Sequence, residues 1–167
     1  MSDKPSYLGL LNVIAVNEAR AFRYINEWIA VSPDPRVRAV LHTVAWREGE
    51  HGMSFGRRIE ELGFSVREKD DDDGRAMEVA RSTELSDLEK MEHFGLHDLD
   101  CALHAFDDVF KDHTIDIRTG ELLGRYIAEE FDTARLLAAC YATLSQEHAE
   151  AAAADRTHAT ATAVAGS

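Results

Sequence analysis

The sequence predicts an all-α fold: an antiparallel four-helix bundle with a long crossover between its second and third helices. Three observations carry this. Apolar residues recur at helical spacing through four long stretches. Proline, which breaks helices, occurs only three times in 167 residues. Between the second and third stretches lies a connection too long for a tight helical hairpin, with the charge run Glu68-Lys69-Asp70-Asp71-Asp72-Asp73-Gly74-Arg75 inside it.

The first helix is expected from about Ser6 to Ala30, with an inward stripe of Leu11, Ile14, Ala15, Glu18, Phe22, Ile25 and Ile29. Ser32-Pro33-Asp34-Pro35 ends it and starts the next, with Asp34 as N-cap and Pro35 as the first helical residue. The second helix runs to about Leu62 on the stripe Val37, Leu41, Val44, Glu48, His51, Phe55, Ile59, Leu62, and Gly63 then fits a C′ position. A short helical turn is expected around Ala76–Arg81. The third helix starts at the capping box Ser86-x-x-Glu89 and continues to about Lys111, its apolar stripe being Leu85, Leu88, Leu96, Leu99, Leu103, Phe106 and Phe110. The fourth begins around Asp116 to Thr119 and runs to about Leu144. Its inward stripe is Leu123, Ile127, Glu130, Ala134, Leu137 and Tyr141, with a nearly equal competitor through Tyr126, Glu129, Thr133 and Leu136. Residues 1–146 form the bundle, and the Ala/Thr-rich tail 147–167 has little to bury and is expected to be frayed or disordered.

Glu48 and His51 both fall on an apolar stripe, so a carboxylate and an imidazole are aimed at the interior. Burying a carboxylate without a partner is costly, which calls for a compensating cation. A repeat sharpens the point. Glu18 and Glu48 stand thirty residues apart about Pro33, Asp100 and Glu130 stand thirty apart about Ile115, and an offset of 82 carries one pair onto the other. In an antiparallel pair, residues equidistant from the turn share a height, so Glu18 faces Glu48 and Asp100 faces Glu130. Two such hairpins packed together bring four carboxylates to one level, where bound divalent metals make their confinement tolerable.

On these residues the chain resembles the ferritin-like superfamily and, within it, the rubrerythrins. The family pattern is Glu on helix one and Glu-x-x-His on helix two, then the same on helices three and four. Here it reads Glu18, Glu48-x-x-His51, Asp100 and Glu130-x-x-Thr133, within residues 6–144. Asn17-Glu18-Ala19-Arg20-Ala21 and the Glu-Leu-Gly ending at Gly63 match too. Asp100 and Thr133 depart from the pattern, a further family carboxylate is replaced by Leu103, and the rubredoxin domain that some members carry is absent.

The resemblance implies two iron ions, with manganese or zinc accepting the same donors. Glu48 and Glu130 bridge the ions, Glu18 and His51 complete one shell, and Asp100 belongs to the other. It implies redox activity toward peroxide or oxygen with an electron donor the sequence does not name. The same equal-height rule sets His51 opposite Ala15 and Thr133 opposite His97, and this reciprocal swap nominates His97 as the nitrogen ligand that Thr133 cannot be. The rival expectation is a non-enzymatic iron-binding or structural bundle with a degenerate second site.

Other residues read more plainly. Tyr126 is either a hydrogen-bond donor to a ligand carboxylate or a packed core tyrosine. Glu129 and Asp132 are alternatives to Glu130 as inward groups, and His104 is a weaker ligand than His97. Trp28 and Trp46 read as core or dimer contacts, and a homodimer is expected. Cys101 and Cys140 form no Cys-x-x-Cys motif and read as small packing residues. A net charge of -13 argues against nucleic acid and anionic membranes as partners. No secretory leader or bilayer-spanning run is recognised, so a cytoplasmic protein is expected.

Overall fold

The computed structural model describes residues 4–68, 74–96 and 108–165. All regular structure among them is helical: α1 (Leu8–Val31), α2 (Pro35–Glu61), α3 (Gly74–Arg81), α4 (Asp87–His93), a 3-10 turn at Val109–Lys111, and α5 (Ile117–Ala165).

The α1–α2 hairpin follows its sequence signals. Asp34 accepts a hydrogen bond from the Arg36 backbone N–H at 2.8 Å, with Pro35 opening α2. Gly63, at φ +86°, ends α2 in a Schellman motif: Phe64 N–H bonds Ile59 C=O and Gly63 N–H bonds Glu60 C=O. The α2 stripe from Val37 to Ile59 is buried throughout, while Leu62, just past the helix, is half-buried. On α1 the inward face is turned slightly from expectation. Ala21 and Trp28 are buried, whereas Phe22 is 42 % exposed and Ile29 half-buried.

Two glycines set the spacing of this hairpin. A methyl group at Gly52 would lie 3.1 Å from the Ala19 backbone nitrogen and 3.4 Å from the Ala15 carbonyl, so α1 itself would have to move. At Gly49 it would meet only the Phe22 ring, at 2.9 Å, and that side chain is free to swing outward. Gly52→Ala is therefore expected to lose about 1 kcal/mol net, overpacking outweighing the gain in helix propensity. Gly49→Ala is expected to be neutral or to gain up to about 0.5 kcal/mol. Urea midpoints of the two variants check the contrast.

The third helix departs most from expectation. Its capping box forms, with Ser86 Oγ accepting from the Glu89 N–H at 3.2 Å and Glu89 Oε2 accepting from the Ser86 N–H at 2.8 Å. The described helix ends at His93, and residues 97–107 of the expected continuation, with Leu99, Leu103 and Phe106, lie outside the described residues. Gly95, at φ +69°, closes a second Schellman motif through Leu96 N–H to Met91 C=O and Gly95 N–H to Glu92 C=O. Its buried face carries Asp87, Lys90 and Met91 instead of Leu85 and Leu88, which are half-buried. Asp87 accepts from Trp28 Nε1 at 2.7 Å and Ser32 Oγ at 2.8 Å, and Lys90 donates to the Ala80 carbonyl at 3.1 Å. These polar bonds pin α3 and α4 to the α1–α2 turn. Phe110, expected on the apolar stripe, is 54 % exposed.

Asp116 starts α5, its carboxylate accepting from the Thr119 N–H at 3.0 Å and from Tyr7 and Arg58. The helix does not end near Leu144 but continues to Ala165 through a stretch of alanines, the strongest helix formers. Described side chains in that extension are mostly exposed. No helix among the described residues is long and apolar enough to cross a membrane.

Two apolar clusters make the core. One gathers Leu11, Ile14, Phe55, Ile59, Leu123 and Tyr126, and the other gathers Ile25, Trp28, Leu41, Val44, Met91 and Leu137. Each of α1, α2 and α5 passes from one cluster to the other. The residues at the crossing are Glu18 on α1, Glu48 and His51 on α2, and Glu130 and Thr133 on α5. The core is therefore divided by a polar belt.

Candidate metal centre

Glu18, His51 and Glu130 converge within this belt. One ligand-capable atom from each lies within 4.8 Å of the other two. His51 Nδ1 is 3.6 Å from Glu18 Oε2 and 3.7 Å from Glu130 Oε1. These same three atoms, Glu18 Oε2, His51 Nδ1 and Glu130 Oε1, are buried and lack a hydrogen-bond partner among the described residues. Native interiors rarely leave such atoms unsatisfied. Donors at about 2.1 Å from a shared ion lie roughly 3–4 Å apart, so the spacing suits one cation between them. Two carboxylates and an imidazole thus fit a divalent metal on chemistry as well as geometry.

The remaining bonds orient these donors. Glu18 accepts from the Tyr126 hydroxyl at 3.0 Å through its other oxygen, Oε1, leaving Oε2 toward the cluster. This is the hydrogen-bonding alternative for Tyr126, and its ring also packs edge-on to His51 with centroids 4.9 Å apart. His51 Nε2 lies 2.6 Å from Glu129 Oε2. With Nε2 protonated and donating to that carboxylate, the Nδ1 lone pair faces Glu18 and Glu130, as a metal-ligating histidine requires. Behind Glu129, Arg125 holds Glu50, and its Nε lies 3.9 Å from Glu129 Oε1. Across the belt Arg47 donates to Thr133 Oγ1 at 3.0 Å and to Asp132 at 2.6 Å.

Charge in the belt is compensated by protons when no metal is there to do it. Burial, then the neighbouring Glu18, pushes the Glu48 carboxyl up to about 11. Burial, then the Glu18 charge, lifts Glu130 to about 7. Burial opposes ionisation of Glu18 too, but the nearby His51, then Glu48 and the Tyr126 hydroxyl, outweigh it and hold the carboxyl below its ordinary value. For His51, burial disfavours the imidazolium, yet Glu18 and Glu129 outweigh it and raise the pKa. Several groups pushed off their usual values at one buried point mark a functional-site candidate.

The sequence expectations thus divide. Glu18, His51 and Glu130 are brought together, and Glu48 is buried beside Glu18 and Glu130 without joining the three-donor set. Asp100, His97 and His104 lie outside the described residues, as does Cys101. The two competing stripes of α5 both contribute, because the inward face runs between them: Tyr126 and Thr133 are buried, and Glu129 and Glu130 both reach His51. Asp132 pairs with Arg47 instead of entering the cluster. Trp28 is core, while Trp46 is 77 % exposed. Arg47 is the member that sequence reasoning missed, whereas Glu129, expected as an alternative to Glu130, joins it on the other side of His51. The signal for Arg47 was adjacency, since it directly precedes Glu48.

Comparisons with protein-family models, with curated proteins and with solved structures found no match to this chain in any of the three.

Proposed function

We propose that the protein is a metal-binding ferritin-like bundle of rubrerythrin type, holding two iron ions and active toward peroxide or oxygen. The observation that carries this reading is the convergence of three buried, unpartnered donor atoms where two apolar clusters part. Glu18, His51 and Glu130 would hold one ion. Glu48, with Asp100 and His97, would provide for the second, Glu48 and Glu130 serving both. Such a pair of ions supplies one- or two-electron redox chemistry at a buried point. The chain's own residues do the rest. Tyr126 and Glu129 orient the ligands, the flanking apolar clusters limit water, and Glu48 and Glu130 give up protons as cations enter. A homodimer belongs to the same reading, supported by the exposed Trp46 and Met53 on one face of α2.

One observation favours a second reading, in which the second site is degenerate and the protein binds iron without catalysis. Thr133 stands where the family places its second histidine, and its hydroxyl is already engaged by Arg47. Anaerobic titration of metal-free protein with ferrous iron, followed by exposure to air, separates the two. Two ions per chain and a new near-ultraviolet absorption band on oxidation are expected. One ion without the band selects the degenerate site, and no binding ends both readings.

A further inference from the structure

A cavity of about 290 Å³ adjoins the polar belt on the side of the second apolar cluster. Its walls include Trp28, Leu41, Val44 and Leu137. Phe94 closes one side, its ring stacked on Tyr24 at 4.9 Å and on Trp28 at 5.8 Å between centroids. Among the described residues, Glu48, Glu130 and Thr133 make a polar end to it.

The space is a property of the residues chosen. Ala21 and Ala134 both line it and are both buried, where leucine-sized side chains would close the gap. The pocket is partly open, so a ligand has a way in. A dry apolar cavity of roughly 150 Å³ already takes up benzene. This one has about twice that volume. Its aromatic wall suits a flat occupant, which gains from ring stacking.

We propose that this chamber binds a neutral apolar molecule of one or two rings, or an alkyl chain of equal bulk, with one end against Glu48 and Glu130. Neutrality follows from the apolar walls, which would strip the hydration of a charged head, and a cationic head would also compete with the metal for Glu48 and Glu130. The chamber walls are protein side chains, so the inference stands beside the metal reading and does not require it. Together they place the occupant against two carboxylates of the metal centre.

The test uses the full chain carrying Trp46→Phe, which removes the surface indole and leaves Trp28 as the reporter. Naphthalene, 1-naphthoate and 1-naphthylmethylamine are titrated against Trp28 fluorescence and thermal midpoint, with and without zinc. Zinc binding is measured separately. Naphthalene is expected to bind saturably and raise the midpoint, each charged analogue at least about tenfold more weakly in the metal-free protein. Leu137→Phe and the bulkier Ala134→Leu should each weaken naphthalene by about tenfold or more while zinc still binds. Absence of a saturable response, equal or tighter binding of a charged analogue to the metal-free protein, or indifference to both filling variants overturns the assignment. Loss of zinc binding with naphthalene retained would overturn the metal reading alone.

Discussion

Replacing Glu48 with Gln is expected to stabilise the metal-free protein at pH 8 by about 2 kcal/mol, and to remove most of the stabilisation that a divalent ion confers. The reason lies in where the protons sit. In the folded chain Glu48 titrates at about 11 and Glu130 at about 7, whereas both release their protons near 4.5 once unfolded. Between those values the native state binds more protons than the unfolded one, so stability falls as pH rises. The contribution is whole below pH 4.5, is lost through about 7 for Glu130, and drains toward about 11 for Glu48. His51, whose folded pKa is raised, adds to the loss above its ordinary value of 6.5. Glu18 works the other way, its depressed pKa contributing above 4.5 and losing that contribution in acid. Gln keeps the shape and the donor of a protonated Glu48 at every pH, so the alkaline penalty disappears. It cannot serve as an anionic ligand. Metal inverts the whole profile, because a cation displaces these protons and gains affinity as pH rises. Urea unfolding at pH 5, 7 and 9, with chelator and with zinc, reads both halves. A wild-type protein whose metal-free stability climbs from pH 5 to 9 contradicts the protonated belt.

The same belt shows how much the sequence revealed. Helix α2 was legible from end to end because its stripe, its Asp34 cap and its Gly63 terminator agree. Equal spacing of Glu18 and Glu48 about Pro33 located the turn and the pairing of the two helices, while Gly52 packs against Ala15 and Ala19 beyond the equal-height position at Ile14. The break after α4 was not foreseen because periodicity runs on through Gly95, a residue able to take the left-handed conformation that a Schellman motif needs. Asp87 and Lys90 could not be recognised as buried, since a charged residue is buried only with partners that tertiary packing supplies, here Trp28, Ser32 and the Ala80 carbonyl. For α5 the stripes were indistinguishable in sequence, because turning a helix by less than one residue exchanges Glu129 for Glu130. Both glutamates turn out to be used, on opposite sides of one imidazole ring.

That two-sided arrangement leads to the other large effect. Glu129→Leu is expected to weaken divalent-metal binding about 10- to 100-fold at pH 8, although Glu129 contributes no atom to the three-donor set around Glu18. The 2.6 Å contact fixes the proton on Nε2 and turns the ring so that Nδ1 faces Glu18 and Glu130. Without it the imidazole can take the other tautomer, which points N–H at the ion. Gln at 129 retains an acceptor for that proton and should recover much of the loss. The pH dependence separates positioning from mere support of the fold. Glu129 is one of the groups that raise the His51 pKa, so its removal lets His51 shed its proton at lower pH. Competition between proton and metal then eases in the variant just where it was strongest in the parent. The affinity deficit should accordingly be large at pH 8 and shrink toward pH 6. A variant that only loosened the helices would bind metal more weakly by a similar factor at both, and its metal-free unfolding midpoint would fall in step.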